Sequence, residues 1–345
     1  MIESLAADLC AVKDVRVATS RDYRVEISLP AECDVNEVTA AEQDAALFSD
    51  LAGSADWTIV IAPETDSLLA KRCETVIAAG GRLLGPSPQI VRLATDKQQL
   101  AEHLGDHGVR AATGETVPTG HVDNNTSTKR PRVDRRENNP LAGVSCLYFQ
   151  SPAGFKTPSR DLPYPVVLKP IDGSGSRDVL LIDGPEVEIP PADSPRRVEQ
   201  FVPGMSVSVA VLCGPAGLFS LPPCRQHLSE DRRFTYLGGS LPLTPPLAAR
   251  ATRLALAAVQ TLKAPIGYLG VDLILGADSP GSEDTVIEVN PRLTTSYVGL
   301  RAATGDNLAE AMLAVAAGFR PVLCFRDEPV EFEADGHITR QELLT

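Results

Sequence analysis

The stretch that most narrows the choice of fold lies at residues 267–292, GYLGVDLILGADSPGSEDTVIEVNPR. Two β-rich runs flank a polar Gly/Ser/Pro segment, which is the pattern of a β-hairpin. Glu288 and Asn290 share a face of the second run, because side chains two apart on a strand point the same way. A hairpin pairing would bring Asp272 of the first run to that face too. Two carboxylates and an amide oxygen make a hard oxygen donor set, suited to Mg²⁺ held against a polyphosphate. Arg292 follows directly as a fixed cation. The segment predicts a nucleotide-dependent enzyme built on a sheet.

The chain has 345 residues, 43% of them hydrophobic, enough for a full core and two or three subdomains. A formal charge of -13 argues against duplex nucleic acid as the main partner, which would need a basic footprint. No apolar run approaches the length of a membrane span, and the first residues, MIESLAADLC, are acidic. The expectation is a soluble, cytoplasmic protein with no membrane partner. Cys10, Cys33, Cys73, Cys146, Cys213, Cys224 and Cys324 form no CxxC or Cys/His cluster. Reduced, mostly buried thiols are expected, and a zinc site is not.

From Val15 to Pro88 strand-like and helix-like runs alternate. TIVIAP, residues 58–63, reads as a strand, a helix runs through Leu68, Leu69, Cys73 and Val76, and RLLG reads as a further strand. This β–α–β unit predicts a small parallel-sheet domain. Its loop PETD lies where open α/β sheets place ligands, so Glu64 and Asp66 read equally as ligand-facing groups or as caps of the next helix. Asp96 is the expected cap of a helix opening at Thr95-Asp96-Lys97. Residues 119–163 are polar and rich in Asn, Pro, Ser and Arg, and read as an insertion or mobile loop. The basic run from Lys129 to Arg136 fits a solvated loop better than a nucleic-acid or targeting patch.

PVVLKP and LLI read as strands separated by the glycine-rich DGSGSRDV, and short strands are expected at 198–202 and 207–212. Thr244-Pro245-Pro246 opens a helix through Leu254, Ala258 and Leu262, and residues 306–317 form another. Lys169 leaves an apolar strand, where a lysine charge needs a partner. The glycines after it can bring backbone N–H groups to an anion, although a plain hairpin turn explains such a sequence as well.

In order, TDK (95–97), VVLKP with its glycine loop (166–176), VEQFVPG (198–204), CRQ (224–226), VDL (271–273) and EVNPR (288–292) resemble the ATP-grasp superfamily of carboxylate–amine ligases. The resemblance spans residues 83–317. It implies an α+β and α/β architecture, two α+β subdomains gripping ATP behind a small parallel-sheet N-terminal domain. The implied divisions are 1–94, a small subdomain at 95–198 containing the insertion, a second subdomain at 199–320 with the metal site, and a tail at 321–345.

By the same resemblance, Lys97 and Lys169 hold nucleotide phosphates, and Ser174, Gly175 and Ser176 cover them. Glu199, Gln200, Phe201 and Val202 form the linker whose backbone binds adenine. Asp272, Glu288 and Asn290 ligate Mg²⁺, with Mn²⁺ as a substitute, and Arg225 and Arg292 steady the transferred phosphoryl group. Many members place a carboxylate for the ribose just after the linker glycine; here Ser206 takes that place, and serine can still hydrogen-bond a ribose.

The implied reaction is amide formation through an acyl phosphate, from small-molecule carboxylate and amine substrates, in a protein that often dimerises. The phrases IAPETD, FVPGMSVSVAVL, CRQHLS and YLGGSLPL are further similar to the branch containing tyramine–glutamate ligase of methanofuran-type cofactor synthesis. Another amino-acid or peptide ligase of the superfamily remains an alternative. A non-catalytic nucleotide-binding relative would predict a broken metal set or missing lysines, and all are present. A biotin-dependent carboxylase subunit would need partner modules, and a scaffold would use Arg292 with the same acids only as a salt-bridge network.

Overall fold

The computed structural model describes residues 1–117, 162–173, 178–184 and 194–339. Helix α1 (Ile2–Cys10) leads to strands β1 (Ala18–Asp22) and β2 (Asp34–Val38), which pair in parallel. Helices α2 (Ala41–Ser54) and α3 (Leu68–Ala78) follow. The expected β–α–β unit is present only in reduced form. Thr58 and Leu83 make a single parallel bridge around α3, and the rest of TIVIAP stays outside a ladder.

Helices α4 (Pro88–Thr95) and α5 (Lys97–Asp106) come next. Asp96 caps α5 as expected, its carboxylate accepting from the N–H groups of Gln98 and Gln99 at 3.0 and 2.9 Å. That cap fixes Lys97 as the first helical residue.

A small antiparallel sheet contains β3 (Gly114–Val117), β4 (Val166–Pro170), β5 (Leu180–Ile182) and β6 (Arg196–Gln200), in the order β3-β6-β4-β5. Strands β7 (Met205–Gly214), β8 (Gly217–Ser220), β9 (Cys224–Leu228) and β10 (Tyr236–Leu241) begin a larger sheet. After helix α6 (Pro245–Gln260) the chain adds β11 (Gly267–Leu275) and β12 (Thr285–Asn290). Helices α7 (Ser296–Ala303) and α8 (Leu308–Ala316) precede β13 (Val330–Glu333) and β14 (Ile338–Thr339). The strand order is β12-β11-β7-β9-β10-β13-β14, with β8 paired to β7. The tail after Arg320 therefore extends this sheet instead of trailing from it.

Alternation along β7 and β11 divides the large sheet into two faces. Val207, Val209, Val211, Leu269, Val271 and Leu273 are buried in one core with Ala251, Ala255 and Val259 of α6. On the other face Ala210, Leu212 and Tyr268 join Tyr297, Leu300 and Met312 of α7 and α8. Helix α1 belongs to this second core through Leu5. Its buried Asp8 accepts from the Tyr297 hydroxyl at 2.6 Å and Arg301 Nε at 2.7 Å. Among the described residues no helix is long and apolar enough to cross a membrane.

Candidate active site

The hairpin read from the sequence is present, with β11 and β12 antiparallel and Asp272 directly opposite Glu288. Gly270 faces Asn290 two pairs further along. Between Asp272 and Leu273 the register slips, so that Leu273 pairs with Val286 and Ile287 is an extra residue. This bulge resolves a conflict of parity. Strict alternation would put Val286 on the same face as Glu288 and Asn290, yet Val286 and Val289 are both buried in the α6 core. One inserted residue lets both valines face the core while Glu288 and Asn290 face the opposite side.

That side opens on a cleft of about 1220 Å³ between the two sheets. Single small-molecule sites run to roughly 300–1,000 Å³, so this one has room for a nucleotide and a second ligand. Its walls include Lys97, Lys169, Glu199, Gln200, Phe201, Val202, Ser206, Asp272, Glu288, Asn290 and Arg292. Residues 97 to 292 of the sequence expectation are thus brought to one cavity, with two exceptions. Ser174, Gly175 and Ser176 lie outside the described residues, as does most of the 119–163 insertion. Arg225 is exposed and does not line the cleft. Its cross-strand partner Val207 belongs to the α6 core face, so alternation turns the next residue, Gln226, into the cleft instead.

The carboxylate pair is densely tied. Gln226 Nε2 donates to Asp272 Oδ1 at 3.0 Å, and Asn290 Nδ2 donates to Asp272 Oδ2 at 2.9 Å and Glu288 Oε1 at 3.5 Å. Burial pushes the Asp272 carboxyl up to about 7, and the facing Glu288 carboxylate adds to the rise. For Glu288 burial also acts upward but is outweighed by Lys97, Lys169 and Arg292, which hold its carboxyl below the usual range. Lys97 Nζ stands 3.9 Å from Glu288 Oε2 and donates to the Gly173 carbonyl at 3.3 Å. Burial lowers its ammonium pKa, with Glu288 opposing.

Lys169 has the partner that a lysine on a buried strand requires. Its Nζ is 2.6 Å from Glu199 Oε1, while Arg197 Nε donates to Glu199 Oε2 at 3.0 Å. Arg197 also donates to the Ala112 carbonyl at 2.7 Å and to Gln98 Oε1. The Glu199 side chain is thereby spent on two cations of the small sheet. In the linker, the Gln200 and Phe201 N–H groups already donate to the carbonyls of Thr113 and Pro165, at 2.8 and 3.1 Å. Gly204 closes the linker at φ +152°, where a Cβ would meet the Leu275 carbonyl oxygen at 2.3 Å.

From the N-terminal domain, Ile61, Ala62, Pro63 and Thr65 complete the cleft wall. Glu64 is buried and grips Arg292 with both oxygens, Oε1 to Nε at 2.7 Å and Oε2 to a terminal nitrogen at 3.3 Å. Neither Glu64 nor Asp66 caps a helix through its side chain. Sequence reasoning missed Gln226, whose signal was strand parity beside Arg225, and the Glu64–Arg292 pair, which no local pattern announces.

A family model for the ATP-grasp domain matches residues 147–296, and one for the pre-ATP-grasp domain matches residues 15–91. The chain is 31% identical to tyramine–L-glutamate ligase of Methanocaldococcus fervens over 51% of this chain and 53% of that one. It spans about half the length of the curated relatives it matches. Among solved structures, N5-carboxyaminoimidazole ribonucleotide synthetase from Thermotoga maritima superposes with a TM-score of 0.65 at 16% identity, over 95% of this chain and 76% of that one. L-amino acid ligase from Bacillus licheniformis gives a TM-score of 0.63 at 15% identity, over the same 95% and 76%. The chain therefore carries a pre-ATP-grasp domain followed by an ATP-grasp domain, and its fold is the ATP-grasp fold.

Proposed function

We propose that this chain is an ATP- and Mg²⁺-dependent ligase that joins a carboxylate to an amine with formation of ADP. The observation that carries the reading is one cleft lined at once by Lys97 and Lys169, by the facing pair Asp272 and Glu288, and by a clamped Arg292. The two lysines suit phosphate oxygens, and Val202 of the linker and Ser206 line the cleft where a nucleobase and its ribose would sit. Asp272, Glu288 and Asn290 would hold magnesium. The donor set fits, because the half-buried carboxylates of Asp272 and Glu288 face each other across the hairpin beside the Asn290 amide, a set of hard oxygen donors opening on the cleft. Asn290 here presents its NH₂ to both acids, so ligation through its oxygen would require the amide to turn over. Bound there, the ion would neutralise charge on the phosphates being separated.

In the reaction, a carboxylate oxygen of the substrate attacks the γ-phosphorus, and the bond from that phosphorus to the ADP oxygen breaks. The amine nitrogen then attacks the acyl carbon of the acyl phosphate. Inorganic phosphate leaves as the C–N bond forms, and the nitrogen gives up its extra proton. Such transfer asks the protein for positioning and charge stabilisation, which Lys97, Lys169 and Arg292 can supply without a covalent intermediate on the enzyme.

For the substrates the activity named for the relatives is the guide, L-glutamate as acyl donor and tyramine as amine; to these we add tyrosine as a second amine, and a place in the synthesis of a one-carbon cofactor. Mass spectrometry of incubations with Mg·ATP and each glutamate–amine pair tests this. A γ- or α-glutamyl amide with tyramine or tyrosine is expected. An amide that forms only from other amino acids would transfer the reading to an amino-acid ligase.

A further inference from the structure

We propose that Glu64 is a positioning residue that holds Arg292 against the transferred phosphoryl group, giving the N-terminal domain a direct part in the chemistry. The inference rests on the ligase reading above. Glu64 is 4% exposed and lies 228 residues from its partner, so only the assembled fold brings the two together. Two of the five N–H groups of Arg292 go to Glu64, and a third goes to the Leu293 carbonyl at 3.0 Å. Two remain, on a side chain that lines the cleft beside Glu288 and Asn290. An arginine held by a planar fork presents its free edge in one orientation, without spending rotamer freedom when a ligand arrives.

The loop that carries Glu64 is built for this task. Pro63 and Thr65, on either side of it, line the cleft. Asp66 and Ser67 follow in the left-handed region at φ +56° and +58°, unusual for consecutive non-glycine residues. Such strain persists only where surroundings enforce it, and here the Asp66 N–H donates to Asp172 Oδ2, across the cleft, at 3.2 Å. Helix capping gives no other use for the Glu64 carboxylate.

The test uses the full chain with Mg·ADP, alone and with aluminium fluoride as a mimic of the phosphoryl group in transfer, by calorimetry. Glu64→Gln is expected to weaken the aluminium fluoride complex about 10- to 100-fold while Mg·ADP binding stays within about threefold. The double variant Glu64→Gln, Arg292→Ala should bind it no more weakly than Arg292→Ala alone, since one residue acts through the other. Added guanidinium ion should restore the complex in Arg292→Ala and fail to do so once Glu64 is also changed. Additive losses, or a Glu64→Gln variant that melts earlier but binds the mimic normally, would overturn the proposal and leave Glu64 a structural anchor. Wild-type protein that binds Mg·ADP but is not tightened by aluminium fluoride would overturn it too. Failure to bind Mg·ADP at all would overturn both this inference and the ligase reading, whereas a mimic complex that is tight in the wild type and weakened in Glu64→Gln, without turnover of any substrate pair, supports the role of Glu64 and counts against the ligase reading alone.

Discussion

On the small sheet, Glu199 lies between Lys169 and Arg197 at 2.6 and 3.0 Å, so its charges are compensated before any ligand enters. On the large sheet, Asp272 and Glu288 face each other with Lys97 no closer than 3.9 Å, and amide N–H groups fill the space between them. The first arrangement is a finished ion-pair network; in the second, Lys97, Lys169 and Arg292 act on Glu288 without a close ion pair, and Asp272 accepts from neutral amide groups. The difference assigns the two walls different work. The small sheet offers Lys169, fixed by Glu199, and the large sheet offers a place for a cation to be brought in.

The largest expected effect falls on the unfinished wall. Glu288→Gln should lower the rate of ADP formation by about a hundred- to a thousandfold with an unchanged circular dichroism spectrum. Full turnover in that variant would remove the large sheet from the chemistry. On the finished wall the damage should be to stability. Glu199→Gln leaves Lys169 and Arg197 buried without their shared carboxylate and should cost about 3–5 kcal/mol in urea unfolding. Lys169→Ala spares the Arg197–Glu199 bond, so it should chiefly weaken ATP binding, by about 10- to 100-fold in calorimetry. An unchanged ATP affinity would make the small-sheet cations purely structural.

A subtler contrast lies in pH. The folded Asp272 carboxyl is raised to about 7 against an ordinary aspartate value near 3.8. Between those values the folded state holds a proton that the unfolded chain has released, so this group's contribution to stability falls as pH rises from about 4 to 7. Thermal melts of the ligand-free protein should carry that slope, and Asp272→Asn should flatten it. A slope that survives the substitution would locate the titration elsewhere. The smallest effect is expected from Asp96→Ala, which removes the cap of α5 at a cost of about 1 kcal/mol and leaves Lys97 in place. A loss of ATP affinity beyond tenfold in that variant would show that the cap, too, positions the lysine.

What could be read in the sequence was what local chemistry encodes. Alternation in 267–292 announced the hairpin and its carboxylates, and Asp96 and Pro245 marked helix starts that the fold keeps. The bulge at Ile287 was hidden, because two residues share one partner only when the neighbouring strand is present. Arg225 and Gln226 could not both face the cleft, and the choice between them belongs to the register of β9 on β7. Glu199 looked like part of the linker, but burial beside two cations turned its side chain toward them. The docking of α1 onto α7 and α8, and the Glu64–Arg292 clamp, join residues too far apart in the chain for any periodicity to link.

The most direct test of the account is ADP release by the purified chain with Mg·ATP, measured with and without each substrate of a glutamate–amine pair. The account predicts release that requires magnesium, a carboxylate and an amine together, and that is lost in Glu288→Gln. Release that proceeds equally without carboxylate or amine, or that ignores the Glu288 substitution, would contradict it.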